Sequence, residues 1–437
     1  MRKLNKLIEY LFYLYLFLLP WQTRLIIKEG ILNNGHWEWG TYSLYATDIV
    51  FILLLVLFCF NLLTNSSISN SQFLISKQIQ NPKPSKTFKF QLLVIIFLLF
   101  VFLSVFWAKD SGLAFYWALR ICQGVILFFL IKKIDFSFLK AGFSLVFAGL
   151  IQVFLGLSQF INQRVFASKW LGIAAQDSSQ SGVSVVETAE GRILRVYGSL
   201  PHPNVLAGFL VFVILISFIL YLLVKKSWIR YFVLFSASLM TIILFLTYSR
   251  AAWLSLIISI FFIAFFIFKK NYVNLRTSFF EFFGLILIIT LIFSGLSLRD
   301  LIVRVEVRGK LENRSVNERI FNFQRSLEII RDNFPFGVGI GNYTLALYQK
   351  YSNLSSWDAQ PVASIYFLIL SELGIIGLIL FFLIIVFSLK FRVYSLLLMS
   401  LLVIGFLDHW LFSLPFGILL FWLAIGCCGK IKNNFLV

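Results

Sequence analysis

Residues 205–223 read Val-Leu-Ala-Gly-Phe-Leu-Val-Phe-Val-Ile-Leu-Ile-Ser-Phe-Ile-Leu-Tyr-Leu-Leu, and the next charges are Lys225 and Lys226. An uncharged apolar run of this length is what a helix needs to cross the hydrocarbon core of a bilayer, about 20 residues. It is apolar on every side, so it is not the half-polar helix of a soluble surface. Similar runs recur along the 437 residues, at about 7–21, 46–63, 91–107, 113–131, 139–161, 231–248, 251–268, 279–297, 362–388, 394–407 and 413–429. The chain is 60% hydrophobic and 13% charged, whereas a soluble domain carries about 25% charged residues. These features exclude an ordinary soluble enzyme and a disordered chain. The expected fold is an all-α polytopic membrane protein of about 12 transmembrane helices.

The net charge of +19 resembles a nucleic-acid signal until its distribution is read. With the N-terminus inside, the internal connections hold Arg2, Lys3 and Lys6, then Lys77, Lys83, Lys86 and Lys89, then Lys132, Lys133 and Lys140, then Lys225, Lys226 and Arg230, then Lys269, Lys270 and Arg276, then Lys390 and Arg392, then Lys430 and Lys432. Only Glu9, Asp135 and Glu281 lie near these internal segments. Short external connections are poor in lysine, as the positive-inside rule requires. The excess charge therefore faces anionic lipid, and no nucleic-acid partner is expected. Both termini are placed in the cytoplasm. Met1–Lys6 before an apolar run resembles a signal peptide, but Pro20-Trp21-Gln22 follows where a cleavage site would be, so a retained first span is expected. No internal repeat is visible.

The expected organisation is 1–204 as an N-terminal transmembrane half with an external loop at about 162–204, 205–297 as spans six to nine, 298–361 as an external helical loop before the tenth span, and 362–437 as the last spans and a cytoplasmic tail. The polar stretch 64–90, with Asn81-Pro-Lys-Pro84, reads as a solvated internal loop. Ordered polar mass outside points to work at the outer membrane–water boundary. In the second loop, Ser315-Val-Asn-Glu318 fits a capping box. Val316, Ile320, Phe323, Leu327 and Ile330 follow as one helical stripe that Asn333 and Pro335 end. Arg319 lies at the edge of that stripe and Arg325 on the wet face.

Arg250, in Leu246-Thr-Tyr-Ser-Arg-Ala-Ala-Trp253, joins two spans with almost no loop, so it is forced to the external mouth. Its planar fork suits phosphate oxygens, and snorkelling to headgroups is the plainer alternative. Arg120, inside the fourth span, is expected to face a polar cavity or to snorkel outward, since a central charge costs about 2.5–3.5 kcal/mol. Gly337-Val-Gly-Ile-Gly341 reads either as a tight turn or as a backbone N–H nest for a phosphate or sugar. Asn204 can cap the span that begins beside His202. Cys59, Cys122, Cys427 and Cys428 all lie in predicted spans and form no metal pattern. With His36, His202 and His409 scattered, no zinc site is expected, and no cofactor. Trp170, Trp253, Trp357 and Trp410 fall near external ends, where they could stack on sugar.

The ordered set Pro201-His-Pro-Asn204, Ser249-Arg-Ala-Ala-Trp253, Ser315 to Arg319, Pro335-Phe-Gly-Val-Gly-Ile-Gly-Asn342, Gln360-Pro-Val362, Glu372-Leu-Gly-Ile-Ile-Gly377 and Asp408-His-Trp410 resembles the O-antigen ligase and O-antigen polymerase superfamily of bacterial inner-membrane glycosyltransferases. The resemblance runs over about 190–425, and Pro20-Trp-Gln-Thr-Arg24 is also similar to family members. It implies a GT-C-like fold and transfer of a glycan from an undecaprenyl-diphosphate carrier to lipid A core, a growing glycan or a protein, at the external leaflet, without metal and with inversion. It also implies that Arg250 and Arg319 grip the diphosphate. Asn204, Arg195, Arg325, Gly339, Gly341, Asn342, Ser364, Glu372 and Asp408 are the supporting positions.

The chain departs from the ligase pattern at one place. Ser364, Gly374 and Gly377 keep the family spacing, but Ala363 stands where the ligases carry the histidine that acts as general base. Three accounts follow: His202 or His409 supplies the base, the chain is polymerase-like and uses another residue, or it binds lipid-linked glycan without turnover. A lipid or polysaccharide transporter is the reading from a different class.

Overall fold

The computed structural model describes residues 2–69, 86–188, 191–269, 272–296, 310–389 and 395–428. The Asn81–Pro84 stretch, the tail after 428 and the first part of the 298–361 loop lie outside the described residues. A helix occupies each of the twelve expected stretches. Nine are long and apolar enough to cross a membrane: α2 (Ala46–Ser69), α3 (Lys86–Leu103, continued by a short helical turn to Trp107), α4 (Ser111–Lys133), α5 (Phe138–Asn162), α6 (Pro203–Leu223), α7 (Ser227–Leu246), α8 (Arg250–Lys269), α9 (Val273–Leu296) and α12 (Ile365–Leu389). Three are shorter: α1 (Arg2–Leu18), α13 (Ser395–Leu407) and α15 (Pro415–Cys427). Among the described residues there are three more α-helices: α10 (Lys310–Asp332), α11 (Tyr343–Lys350) and α14 (Trp410–Ser413).

The connections are not purely helical. The segment between α1 and α2 forms a hairpin in which β1 (Arg24–Lys28) pairs with β4 (Tyr42–Tyr45), Arg24 opposite Tyr45. A smaller pair, β2 (Ile31–Leu32) with β3 (Gly35–His36), lies at its tip. The 162–204 loop holds two further pairs, β5 (Arg164–Val165) with β6 (Gln176–Asp177) and β7 (Val185–Thr188) with β8 (Gly191–Leu194). Backbone polar groups in these connections are satisfied by short ladders where no helix can form.

The most apolar span is also the most enclosed. Helix α6 is 94% buried and packs against α5, α7, α8, α9 and α13. A helix without a polar face has no reason to prefer one side, so it serves as the central post of the bundle. Around it, the two ends of the bundle differ in chemistry. At one end Lys140 meets Glu9 at 3.7 Å, Arg230 meets Glu281 at 3.4 Å, and Lys132 Nζ donates to the Cys428 carbonyl. The opposite end carries the hairpin, the 162–204 loop and α10.

Arg120 neither snorkels nor faces an open cavity. Its Nη1 lies 2.8 Å from Asp48 Oδ2, its Nη1 also reaches Gln123 Oε1 at 3.1 Å, and its Nη2 donates to the Ser43 carbonyl. Gln123 Nε2 and the Tyr45 backbone N–H each donate to Asp48 at 2.8 Å. A buried ion pair is tolerable when every remaining donor and acceptor is used in this way. The pair ties α4 to the start of α2.

Helix α12 breaks at Gly374, whose φ of 65° and ψ of −167° are not helical. The break frees carbonyls that the glycine run then takes up. Val338 N–H donates to the Ser371 carbonyl and Gly339 N–H to the Glu372 carbonyl, both at 2.9 Å. Gly341 N–H donates to Glu372 Oε2 at 2.8 Å, and Ile375 N–H returns to the Pro335 carbonyl at 3.0 Å. The nest reading of the run is therefore corrected, because its amides hold a broken helix and are not free for an anion.

The capping box is corrected as well. Helix α10 starts at Lys310, so Ser315 lies in its interior, and Glu318 pairs with Arg314 at 2.7 Å. Among the described residues the buried ones of α10 are Ser326 and Ile329; of the expected stripe Phe323 meets the bundle and Val316 and Ile330 are half-buried, while Ile320 and Leu327 stay exposed. A small serine lets the helix approach α12 closely, with Phe323 edge-on to Phe367 at 4.7 Å. Asn333 does end the helix, its Nδ2 donating to the Ile329 carbonyl at 2.8 Å.

Gly374 yields a prediction. A Cβ there would sit 1.8 Å from the Pro335 carbonyl oxygen, on a backbone where a side chain alone costs of order 1–3 kcal/mol. Gly374→Ala is expected to lower the melting temperature of the detergent-solubilised chain by several degrees or to abolish folding. Gly284→Ala, with nothing within 4 Å of its Cβ, is expected to leave it unchanged or raised. Equal melting of the two variants would refute the role given to the break.

Candidate functional site

The N-terminus of α6 opens onto a cleft of about 600 Å³. Asn204 and Asp408 line it, and the chain of hydrogen bonds that holds them joins four segments. Arg195, which is buried, donates from Nε to the Thr247 carbonyl at 2.8 Å and from Nη2 to Asn204 Oδ1 at 2.7 Å. Asn204 Nδ2 donates onward to Asp408 Oδ2 at 2.9 Å, and Asp408 Oδ1 accepts the His409 backbone N–H at 2.8 Å. The run thus links the β8 loop, the α7–α8 corner, the start of α6 and the α13–α14 corner. Asn204 is not the helix cap that the sequence indicated. His202 caps α6 through Nδ1, which accepts the Asn204 N–H at 3.1 Å, and this frees the asparagine side chain to bridge.

The two histidines that line the cleft differ in what their nitrogens can do. In His202, Nδ1 accepts from backbone, so Nε2 carries the hydrogen and donates to Ser184 Oγ at 3.0 Å. Burial, then the charge of Arg195, holds its pKa far down, at about 3. In His409, Nδ1 lies 2.6 Å from Ser413 Oγ, and the same Oγ lies 3.1 Å from the His409 carbonyl. Ser413 has one hydrogen. Both contacts are satisfied together only if the hydroxyl donates to the carbonyl and Nδ1–H donates to the hydroxyl. That assignment leaves the lone pair on Nε2, which has no hydrogen-bond partner among the described residues. Burial keeps the His409 pKa below its ordinary value. Asp408 raises it and Arg319 lowers it. Burial pushes Asp408 upward, but His409, His202, Arg319 and the Asn204 amide outweigh it and hold the carboxyl low.

Arg319 is exposed and lines the cleft. Among the described residues its one hydrogen bond is a long one, 3.5 Å from Nη1 to the Leu407 carbonyl at the end of α13. Arg250 begins α8, after a corner in which Tyr248 takes φ 50°. It does not line the cleft. Ser255 Oγ on α8 donates to the Ser400 carbonyl on α13 at 2.7 Å. The Arg195–Asn204–Asp408 chain reaches from the Thr247 carbonyl to the end of α13, so Arg250 and Leu407 lie at the same end of these packed helices. The negative end of the α13 dipole favours cations there.

The remaining expected positions fall elsewhere. Arg325 stacks over Tyr351 at 5.1 Å, on the α10–α11 side. Asn342 is buried and bridges Asp110 through its N–H and carbonyl, at 2.7 and 3.2 Å. Gly339, Gly341 and Glu372 belong to the α12 break, and Ser364 is buried at the start of α12. Ala363 does line the cleft, in company with His202, Asp408 and His409.

Sequence reasoning missed the first hairpin. Gln22, Arg24, Glu38, Trp39 and Tyr45 also line the cleft. Arg24 Nη2 meets Glu38 Oε2 at 2.8 Å, and its Nη1 is also engaged by Glu38. The Glu38 hydrogen bond raises the Arg24 pKa against the opposing effect of burial. Trp39 sets its ring edge-on to His409 at 5.3 Å. Of the tryptophans expected to meet sugar, Trp410 is buried against α6, where a Cβ on Gly208 would lie 2.3 Å from it. The signal for Trp39 was thin: a tryptophan beside an acid in a polar loop. His36 is held between Glu29 and Glu38 at 2.9 and 3.2 Å.

Residues 235–382 match the family model described as O-antigen ligase. No curated protein matches the chain. The matched stretch includes Arg250, Arg319, the glycine run and Glu372; it begins after His202 and Asn204 and ends before Asp408 and His409. A chain of repeated apolar helices with this segment is a multi-pass membrane protein that carries, across residues 235–382, a domain of the O-antigen ligase family.

Proposed function

We propose that this chain is a membrane glycosyltransferase of the O-antigen ligase or polymerase type. It moves a glycan from an undecaprenyl-diphosphate carrier to a hydroxyl of a lipid, glycan or protein acceptor at the external leaflet of the bacterial inner membrane. The observation that carries the reading is one cleft that gathers an uncommitted arginine, Arg319, with a neutral histidine whose Nε2 holds a free lone pair, His409.

In this reading the acceptor hydroxyl gives its proton to His409 Nε2 as its oxygen attacks the anomeric carbon. The new carbon–oxygen bond forms as the bond to the diphosphate oxygen breaks, with inversion. The negative charge that gathers on the leaving diphosphate is met by Arg319 and by Arg250 at the same end of α13. His409 stands in for the family histidine, since the cleft that contains Ala363 also contains His409. His202 is the poorer base because both of its nitrogens are engaged. Asn204 and Asp408 hold the His409 backbone in place, and Arg195 holds Asn204. The positive face with both termini is assigned to the cytoplasm.

Ala363 also favours a second reading, binding of lipid-linked glycan without turnover. The surface-glycan profile of a deletion strain separates the two. Wild type is expected to restore a glycan band or ladder. Arg319→Ala and His409→Ala, expressed at equal level, are expected to fail or to restore it at least about 100-fold less efficiently, as loss of a general base commonly costs 10²–10⁴-fold. Equal rescue by all three would remove the catalytic assignment. A restored capped core marks a ligase, and a lengthened chain a polymerase.

The pH dependence follows from the His409 surroundings. Because its pKa is held down, the neutral, proton-accepting form is already dominant at pH 7, and activity falls only on acidification. The acid limb of the transfer rate is expected at an apparent pKa below about 6.5, the ordinary histidine value. A limb at or above that value would exclude His409 as the base.

A further inference from the structure

We infer that the hairpin wall of the cleft, centred on Trp39 with Gln22 and Gln176, is a saccharide subsite for the acceptor, an assignment that rests on the transfer reading above. The walls of the cleft differ in charge. The α10 wall presents Arg319, which feels the Asp408 charge but has no carboxylate at ion-pair distance among the described residues. On the hairpin wall the one cation, Arg24, is cancelled by Glu38. A neutral wall rich in donors and acceptors attracts no diphosphate, and it suits a polyhydroxylated ligand.

The wall is built and not a chance surface. Arg24 lies opposite Tyr45 across the β1–β4 ladder. The 165–176 loop is fastened to the hairpin by the Trp170 carbonyl, which accepts from Trp21 Nε1 and from Thr23 Oγ1, both at 2.6 Å. The fit is close enough that a Cβ on Gly172 would lie 2.1 Å from the Gln22 backbone. Within this frame the Gln176 amide makes no hydrogen bond among the described residues, and Gln22 makes one long one, 3.4 Å to the Pro20 carbonyl. Both amides are available to sugar hydroxyls. Trp39 supplies an aromatic surface, and its ring touches His409. A sugar resting there has a hydroxyl beside the atom that must take its proton. In an inverting displacement the nucleophile arrives on the face away from the leaving group, so the base belongs to the acceptor side. The wall that contacts His409 is the acceptor wall on that ground.

The test uses the full chain in detergent, with the delipidated surface glycan of the expressing strain as probe. Binding is read by saturation-transfer NMR, and transfer by titrating the same glycan against lipid-linked donor extracted from the deletion strain. Wild type is expected to bind the glycan. Trp39→Ala and the Gln22→Ala/Gln176→Ala double variant are expected to raise its half-saturation at least fivefold while the donor half-saturation stays within twofold. Trp39→Phe is expected to recover most of the binding, which separates an aromatic platform from a folding defect. Glycan binding that is absent in wild type, or equal in wild type and both variants, overturns the inference. If binding depends on the hairpin and yet no transfer occurs, the subsite stands as a glycan site, and it is the transfer reading that fails.

Discussion

Buried polar groups inside an apolar bundle have few partners to choose from, and the Arg195–Asn204–Asp408 chain satisfies its own at the mouth of the central helix. Removing the middle member would leave the buried Arg195 guanidinium short of a partner, at about 1–3 kcal/mol, and the half-buried Asp408 carboxylate without the Asn204 amide. The same three residues position four segments that are far apart in sequence. The corner that launches Arg250 hangs on Arg195 through the Thr247 carbonyl. The corner that carries His409 hangs on Asp408. The candidate site is thus the by-product of a polar group that had to be satisfied where the central helix meets water.

A second constraint works in the same way on α12. Its break at Gly374 releases backbone groups in an apolar setting, where unsatisfied ones are costly. The glycine run supplies the matching donors and returns one carbonyl, so a loop of 335–341 becomes part of the helix wall. Glycine is needed at Gly374 because the φ is positive and the Pro335 carbonyl is in the way. Glu372 then accepts the Gly341 and Tyr343 amides at 2.8 and 3.4 Å. These positions belong to architecture: they hold Ala363 and the start of α12 where the cleft needs them.

The division of charge across the cleft separates two kinds of ligand. Arg319, held only at the end of α13, keeps nearly all of its donors for an anion. Arg24 is committed to Glu38 and to the shape of the hairpin. Two arginines in one cavity therefore have different uses, and the difference lies in their partners and not in their residue type. The histidines show the same contrast. His202 spends both nitrogens on capping and on Ser184, whereas His409 spends one on Ser413.

The placing of the apolar helices was legible in the sequence, because uncharged runs of about 20 residues have few other fates; nine of the twelve expected stretches are long enough to cross a membrane. So were the cationic end of the bundle and the nearly loop-free corner before the exposed Arg250, since charge distribution and a missing loop are local properties of the chain. The start of α10, the cap of α6, the use of the glycine run and the fate of Arg120 were not. Each depends on a partner from a distant segment: Glu318 on Arg314 in place of a cap, Asn204 on Asp408, Gly341 on Glu372, Arg120 on Asp48. The sequence by itself determined a bundle of membrane helices with its polar chemistry at one end, for the reason that hydropathy and charge act along the chain. Only the tertiary structure decided which polar residues share the cleft and which histidine nitrogen remains open, because those are set by hydrogen bonds between residues that sequence spacing does not relate.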